Sequence, residues 1–474
     1  MRKRTKPGSE RLPRKGVTRG LSVTLSAVGL ALIGLAYGAR VGRLATVDED
    51  AYISLRYARN LLDGNGLVFN ATGPRVEGIT NLLWTLAVAA GSWISGVELP
   101  AVALVLSVAC GALTLAAAYL WCLWLMTRCG LATAAAMPLA LAVPLLLVWQ
   151  PGFVFYSASG LETPLVALLM LCGLWLASPS NRSTYRYLAP GGLFLGAAFL
   201  TRPEAGLALA AACAAAAAGG LLGKKGAATT DIMKRLVAVG LPGGAVVVTA
   251  TAWRLWYYGA PVPNTAYAKS GTPEAMLQWG LPYLLNAAVG TVLFAAWGLC
   301  LIVAFVDRRF LIGALAGLLL VPAWAAYVVY VGGDYMPSHR LFVPLLPILL
   351  GLAVASYAPI LAYFRRPGSG EERRGAPRWS FPSAYVLALA PVVVLSALEG
   401  GTPQMWSRLT RGGDGLPREK VDAIVRLIDQ YLAEEAELRN LQSDKQTIHP
   451  RDLPPDKREA LINEIFEILG EERK

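Results

Sequence analysis

The sequence predicts an all-α protein, a polytopic transmembrane helical bundle of about eleven spans. Three observations carry that prediction. Only 16% of the 474 residues are charged and 55% are hydrophobic, whereas soluble domains average about 25% charged residues. Long apolar runs recur from residue 21 to 398; they are continuous and rich in Ala, Leu and Val, where a membrane β-barrel would alternate apolar and polar positions. Basic residues collect between the runs, as in loops kept on the cytoplasmic side. The net charge of +12 marks those loops, and no nucleic-acid partner is implied.

Taken in order, residues 1–20 carry eight basic residues and are expected in the cytoplasm. The run 21–39 is too long for a signal-peptide core and lacks a clear A-x-A site, so it reads as an uncleaved first span. It delivers residues 40–99 to the outer side. The run "ITNLLWTLAVAAGSWISGV" (79–97) decides the rest. Were it to cross, Arg128, Arg182, Arg186, the cluster from Lys224 to Arg235 and Arg308–Arg309 would all fall outside. Lying in the outer interface or re-entering, it leaves every basic cluster inside. The spans then fall near 100–126, 131–150, 161–178, 187–201, 205–223, 236–257, 279–306, 310–331, 341–364 and 381–398. Residues 21–398 are therefore the membrane domain. The tail 399–474 is hydrophilic and expected outside as a small helical element, with Val421, Ile424, Val425, Ile428 and Leu432 on one helical face.

Cysteine chemistry is not indicated. The six cysteines (110, 122, 129, 172, 213 and 300) lie in or at the ends of apolar runs, with no Cys-x-x-Cys spacing. With only His339 and His449, a histidine-rich metal centre is not expected either.

The polar stretches gather on the outer side of this topology: 40–80, 152–164, 200–206, 257–271 and 331–340. In "ATVDEDAYISLRYARNLLDGNGLVF" (45–69) the acids Asp48, Glu49 and Asp50 precede a surface-lying helix whose Ile53, Tyr57 and Leu61 recur every four residues. Acids at a helix N-terminus are stabilised by the macrodipole, and Asp48 alone suffices as a cap. Three acids exceed that need, and a carboxylate beside an acceptor hydroxyl is a candidate general base. Arg56 and Arg59 lie one and two turns on, in position to pair with those acids or with lipid headgroups. Arg75 and Glu77 stand in a Gly-punctuated turn region. Arg202 and Glu204, in "LTRPEAG", sit between short apolar runs, where ionisable groups mark a site or an internal pair with each other or with Glu162. Arg254, among Trp253, Trp256, Tyr257 and Tyr258, is expected to snorkel to the interface. "PNTAYAK" offers Asn264 and Lys269, an amine suited to a phosphate or to headgroups. "GGDYMPSHR" brings Asp334, His339 and Arg340 to the head of a span.

The ordered set "EDAYISLRYARNLLDGNGLVFN…GPRVEGITNLLWTL", "SGLETPL", "LTRPEAGL", "YYGAPVPNTAYAK" and "GGDYMPSHRLFVPLLP" resembles the GT-C membrane glycosyltransferases. The likeness covers about residues 20–365 and points to the branch containing terminal arabinofuranosyltransferases of the actinobacterial cell wall. The resemblance implies a GT-C fold with juxtamembrane helices in the first outer loop and an extracytoplasmic active site in a bacterial plasma membrane. It further implies a polyprenyl-phosphate sugar donor, with arabinofuranose or another pentose favoured, and a cell-envelope glycan or glycolipid acceptor. Its acidic pair falls on Glu49–Asp50; relatives usually carry Asp-Asp, so Glu49 departs from the pattern and Asp48 is a candidate to compensate. The donor-binding set implied for this chain is Arg56, Arg75, Glu77, Arg202, Glu204, Asn264, Lys269, Asp334, His339 and Arg340. No cofactor is expected, although the Asp-x-Asp spacing of Asp48 and Asp50 leaves a divalent cation open. The rival reading is a transporter or flippase of lipid-linked sugars. Such a protein should show inverted repeats and polar helices near the midplane, whereas here the polar residues gather on one face.

Overall fold

The computed structural model describes residues 15–178, 187–221, 229–265, 276–291 and 293–364, with isolated positions 273 and 460. Among the described residues all regular structure is helical. The expected span 381–398, the loop "FRRPGSGEERRGAPR" beyond its first residue, Lys269 and the helical tail lie outside them.

Helix α1 (Lys15–Leu44) shows why this chain needs a lipid solvent. Ile33, Tyr37 and Val41, spaced by four, are buried, while Leu21, Val23, Leu25, Val28, Leu32 and Leu35 lie exposed on other faces. Water would oppose that arrangement and hydrocarbon does not. The chain then forms α2 (Ala51–Leu62), α3 (Leu82–Ser95) and α4 (Leu99–Arg128). α3 is a short apolar helix of 14 residues and is not among the helices long enough to cross.

The run 131–150 divides into α5 (Thr133–Ala140) and α6 (Ala142–Trp149), followed by α7 (Pro151–Ser157) after a 70° bend. Proline at 151 removes a backbone donor at that break. α8 (Thr163–Leu176), α9 (Leu188–Thr201), α10 (Gly206–Leu221) and α11 (Thr229–Tyr258) come next. α9 packs along α8 and α11. The close approach to α11 depends on Gly192 and Gly196, a Gly-x-x-x-Gly pair: a Cβ on Gly192 would run into the Val239 carbonyl, and one on Gly196 would lie 2.9 Å from Val246. Helices Leu281–Thr291, Leu293–Val306, Arg308–Tyr330, Leu346–Ala355 and Tyr357–Phe364 complete the described chain.

Among the described residues five helices are long and apolar enough to cross a membrane, or six with the bent pair counted as one span. This is fewer than the sequence runs suggest. The runs 161–178 and 187–201 fold as helices of 14 residues each, and the segment 276–306 breaks into three pieces. Proline, glycine and charged residues at the run ends stop these helices short of a full crossing length. The main core is built around Leu125, Met126, Phe153, Met170, Phe310 and Trp324, and a second apolar cluster of Leu55, Trp84, Val88 and Val102 joins α2, α3 and α4. The protein is a multi-pass membrane protein.

Candidate active site

The polar stretches scattered through the sequence meet in three sets of bonds, the first of them beside the C-terminal end of α1. The chain leaving α1 is stitched to the α7–α8 turn: the Thr46 N–H donates to the Ala158 carbonyl and the Asp48 N–H to that of Ser159, both at 3.0 Å. This fixes where the three acids stand.

Asp50 occupies the N-cap position of α2, yet its side chain makes no capping bond. Asp48 takes the local role instead, with Oδ1 accepting the Asp50 N–H at 3.1 Å. The Asp50 carboxylate is thereby free to face the 331–340 turn. Its Oδ2 accepts from Arg340 Nη1 at 3.1 Å, and its Oδ1 from the Tyr335 hydroxyl at 3.1 Å. Arg340 Nε also donates to Asp334 Oδ2 at 2.6 Å. The guanidinium thus bridges two carboxylates. Burial pushes the Asp48 carboxyl above its ordinary range; the bond from the Asp50 amide opposes this, and the charge of Asp50 adds to it. Burial and the facing Asp50 charge also raise the Tyr335 phenol, which keeps it a donor.

The turn that presents Arg340 is strained. Ser338 (φ 56°, ψ 33°) and His339 (φ 52°, ψ 54°) are consecutive left-handed residues, each costing roughly 1–2 kcal/mol for a side-chain-bearing residue. Surrounding bonds impose it. Tyr156 donates its hydroxyl to the Pro337 carbonyl at 2.7 Å, and Trp324 Nε1 to the Leu341 carbonyl at 2.8 Å. Gly152 leaves room for the turn, since a Cβ there would stand 2.9 Å from the Ser338 carbonyl. His339 lies edge-on to the Tyr283 ring, with centroids 5.5 Å apart.

A second cluster lies beneath. Arg202 donates from Nε to Glu204 at 2.5 Å and from Nη1 to Glu162 at 2.9 Å. Glu162 also accepts from Asn81 Nδ2 at 2.9 Å, and the Ser54 hydroxyl donates to Asn81 Oδ1 at 3.0 Å. This chain of bonds runs from the α9–α10 hairpin to α2. Arg202 therefore serves the internal pairing weighed from the sequence, with both carboxylates together. Its committed guanidinium frames the site from below.

Arg254 departs from expectation. It does not snorkel; it is 1% exposed and donates from Nε to Glu77 at 2.9 Å. The reason is the returning loop: the Asn264 N–H donates to the Glu77 carbonyl at 3.0 Å and draws the residue over the end of α11. Tyr258 donates to the Leu67 carbonyl at 2.7 Å, and Tyr257 accepts from the Leu67 N–H at 3.1 Å. Arg75 lies over the Tyr257 ring at 4.5 Å. The outer loop is thus clasped to α11. Glu77 and Asn264 belong to the clasp.

Glu49 points elsewhere, into an open groove of about 490 Å³ lined by Tyr52, Ile53, Arg56, Phe69 and Leu99. Arg56 Nε donates to the Phe69 carbonyl at 3.1 Å, and Arg59 pairs with Glu98. Among the described residues no group of three or more His, Cys, Asp or Glu side chains gathers as a metal-ligand set. Tyr335, Asn81 and Tyr156 are members of these sets that sequence reasoning did not single out. Tyr335 stood inside the "GGDYMPSHR" stretch, beside an acid.

No family model matches the chain. Among curated proteins it is similar to the terminal β-(1→2)-arabinofuranosyltransferase of Mycobacterium tuberculosis, 31% identical over 371 residues, covering 70% of this chain and 55% of that protein. It is also similar to the enzyme of the same name from Corynebacterium glutamicum, 29% identical over 351 residues, covering 65% and 48%. The chain spans about half the length of these relatives. In fold it matches the apo crystal structure of the Archaeoglobus fulgidus oligosaccharyltransferase, with a TM-score of 0.53 at 12% identity over 90% of this chain and 61% of that one. ArnT from Cupriavidus metallidurans, crystallised with undecaprenyl phosphate, superposes at 0.48 with 14% identity, covering 95% and 71%. In sequence, then, the chain is similar to arabinofuranosyltransferases, and its fold is that of the GT-C glycosyltransferases.

Proposed function

We propose that the chain is an inverting glycosyltransferase that moves a sugar from a polyprenyl-phosphate donor to a hydroxyl of a cell-envelope glycan or glycolipid. The observation that carries this reading is the meeting of Asp50 with Arg340 and Tyr335, across 290 positions of sequence. It sets a part-exposed carboxylate beside a buried cation, as a displacement on a phosphate-activated sugar requires.

In this reading the acceptor hydroxyl oxygen attacks the anomeric carbon. The bond from that carbon to the phosphate oxygen breaks, and its electron pair leaves on the phosphate. The hydroxyl proton passes to Asp50, and the anomeric configuration inverts. Arg340 meets the charge developing on the phosphate, with Arg75 as a further cation from the outer loop. Asp48, whose carboxyl burial pushes above its ordinary range, holds the start of the helix by accepting the Asp50 N–H. Glu49 and Arg56 face the groove of Tyr52 and Phe69, where aromatic faces and paired charges suit acceptor sugars. His339 and Asp334 hold the Arg340 turn in place. The names of the curated relatives favour arabinofuranose, or another pentose, as the sugar.

The topology adopted is the sequence-derived one of about eleven crossings. It turns the cluster away from the cytoplasm of a bacterial plasma membrane. No metal is assigned a role, and chelation tests that choice. The decisive experiment incubates the purified protein with a panel of polyprenyl-phosphate sugars and compares wild type with Asp50→Asn. Transfer by wild type and its loss in the folded variant are expected. An unchanged rate in the variant would remove Asp50 from the chemistry.

A further inference from the structure

The two arms of Arg340 are unequal. The bond to Asp334 is short, 2.6 Å, and the Asp334 side chain is only 4% exposed; the bond to Asp50 is 3.1 Å, and that side chain is 27% exposed. A guanidinium presents its donors as a rigid fork, so one arm can stay anchored while the other changes partner. The strained Ser338–His339 turn and the Tyr156 bond to Pro337 hold the anchored arm where it is. The arm that reaches solvent is the one on Asp50.

In the state described, both Asp50 oxygens are occupied. Oδ2 receives Arg340 Nη1 and a longer contact of 3.3 Å from Tyr335, while Oδ1 receives Tyr335 at 3.1 Å. An acceptor hydroxyl that approaches Asp50 in this state must first displace one of these donors, one of them a charge-assisted bond. The resting geometry therefore opposes the role that Asp50 is given.

We propose that Arg340 masks Asp50, and that the phosphate group of the lipid-linked sugar displaces Asp50 from Nη1, so the carboxylate becomes available only after the donor is seated. The inference rests on the glycosyl-transfer reading above and deepens it. It makes donor binding a precondition for deprotonating the acceptor. A stray hydroxyl reaching the site first meets a carboxylate whose lone pairs are in use, and Arg340 passes its free arm from one anion to another while Asp334 keeps it in register. Tyr335 stays on Asp50 through the exchange and fixes its orientation.

The test reads the reactivity of the Asp50 carboxyl in the full-length protein reconstituted in nanodiscs. A water-soluble carbodiimide with an amine nucleophile converts accessible carboxyls to amides, and peptide mass spectrometry measures Asp50 against the exposed Asp63 as internal reference. The probes are decaprenyl phosphate, inorganic phosphate and decaprenol, with lipid binding followed separately by native mass spectrometry. Decaprenyl phosphate is expected to raise Asp50 labelling about tenfold, the low end for loss of a charge-assisted hydrogen bond, and decaprenol to leave it unchanged. A rise with inorganic phosphate as well assigns the exchange to the phosphate group alone; a rise confined to the lipid assigns it to the seated donor. Arg340→Gln should label strongly without any lipid and respond no further, and Arg340→Lys, which keeps the charge without the fork, should fall between. Bound decaprenyl phosphate with unchanged or lower Asp50 labelling overturns the masking and leaves the glycosyl-transfer reading standing. Failure of decaprenyl phosphate to bind overturns both.

Discussion

The buried pair Glu77–Arg254 gives the sharpest energetic test. Both side chains are nearly sealed, at 3% and 2% exposure, and a single 2.9 Å bond joins them. One atom of each, Glu77 Oε2 and Arg254 Nη2, has no partner. Burial raises the Glu77 carboxyl even against the nearby guanidinium. Removing Arg254 alone, as Arg254→Met, leaves a carboxylate in an apolar setting and should cost about 3–5 kcal/mol. Glu77→Leu strands the guanidinium and should cost a similar amount. Glu77→Gln keeps an acceptor for Nε and should cost only about 1–2 kcal/mol. The double variant Glu77→Leu/Arg254→Met removes both charges, so it should cost only about 1 kcal/mol, and the cycle should return a coupling of about 5 kcal/mol or more.

The pH dependence has a definite sign. A buried acid whose folded value lies above its unfolded one favours the protonated form when folded, so its penalty grows as pH rises through that window. Without Arg254 the counter-charge is gone, and the deficit of Arg254→Met should shrink as pH falls from about 8 toward the ordinary carboxylate range. Reversible unfolding in mixed micelles, followed by tryptophan fluorescence at several pH values, measures all of this. Single variants that each cost under about 1 kcal/mol, or a double variant as damaged as the sum of the singles, would refute the buried-pair argument.

Other outcomes follow from the same contacts. Gly152→Ala sets a Cβ 2.9 Å from the Ser338 carbonyl; it should shift the Arg340 turn and lower kcat by roughly tenfold or more, with fluorescence-monitored unfolding little changed. Gly192→Ala drives a Cβ into the Val239 carbonyl of the facing helix, so folded yield on size-exclusion chromatography should fall, with no selective effect on turnover. Arg202→Leu strands Glu162 and Glu204 together and should cost about 3–5 kcal/mol, read as loss of folded protein; normal yield would show that the lower cluster does not support the fold. Dialysis against a chelator should leave the transfer rate unchanged, and restoration by a divalent ion after loss would return the Asp48–Asp50 spacing to metal binding.

Much of the molecule can be read before any coordinates are known. Continuous apolar runs between basic loops specify membrane helices, because backbone polar groups in hydrocarbon must be satisfied within the helix. Charged residues in such a background stand out by composition alone, and so Asp50, Arg202, Arg254, Asp334 and Arg340 were all visible. Even the breaks at Pro151 and in "LTRPEAG" announce themselves, since proline cannot continue a helix without losing a hydrogen bond.

Apart from the pairing of Arg202 with Glu204 or Glu162, their partnerships were not visible. Arg254 and Glu77 are 177 positions apart, and Arg340 and Asp50 are 290 apart; no local pattern encodes which cation reaches which acid. Whether an arginine snorkels, props up a neighbouring helix or faces a substrate depends on distance and burial, and both are properties of packing. The sequence determined the solvent, the helices and the list of chemically active side chains. Tertiary structure alone decided that Arg202 and Arg254 spend their charge inside the protein, while Arg340 keeps one arm at the part-exposed Asp50, because electrostatic pairing is set by separation in space and by the dielectric around it.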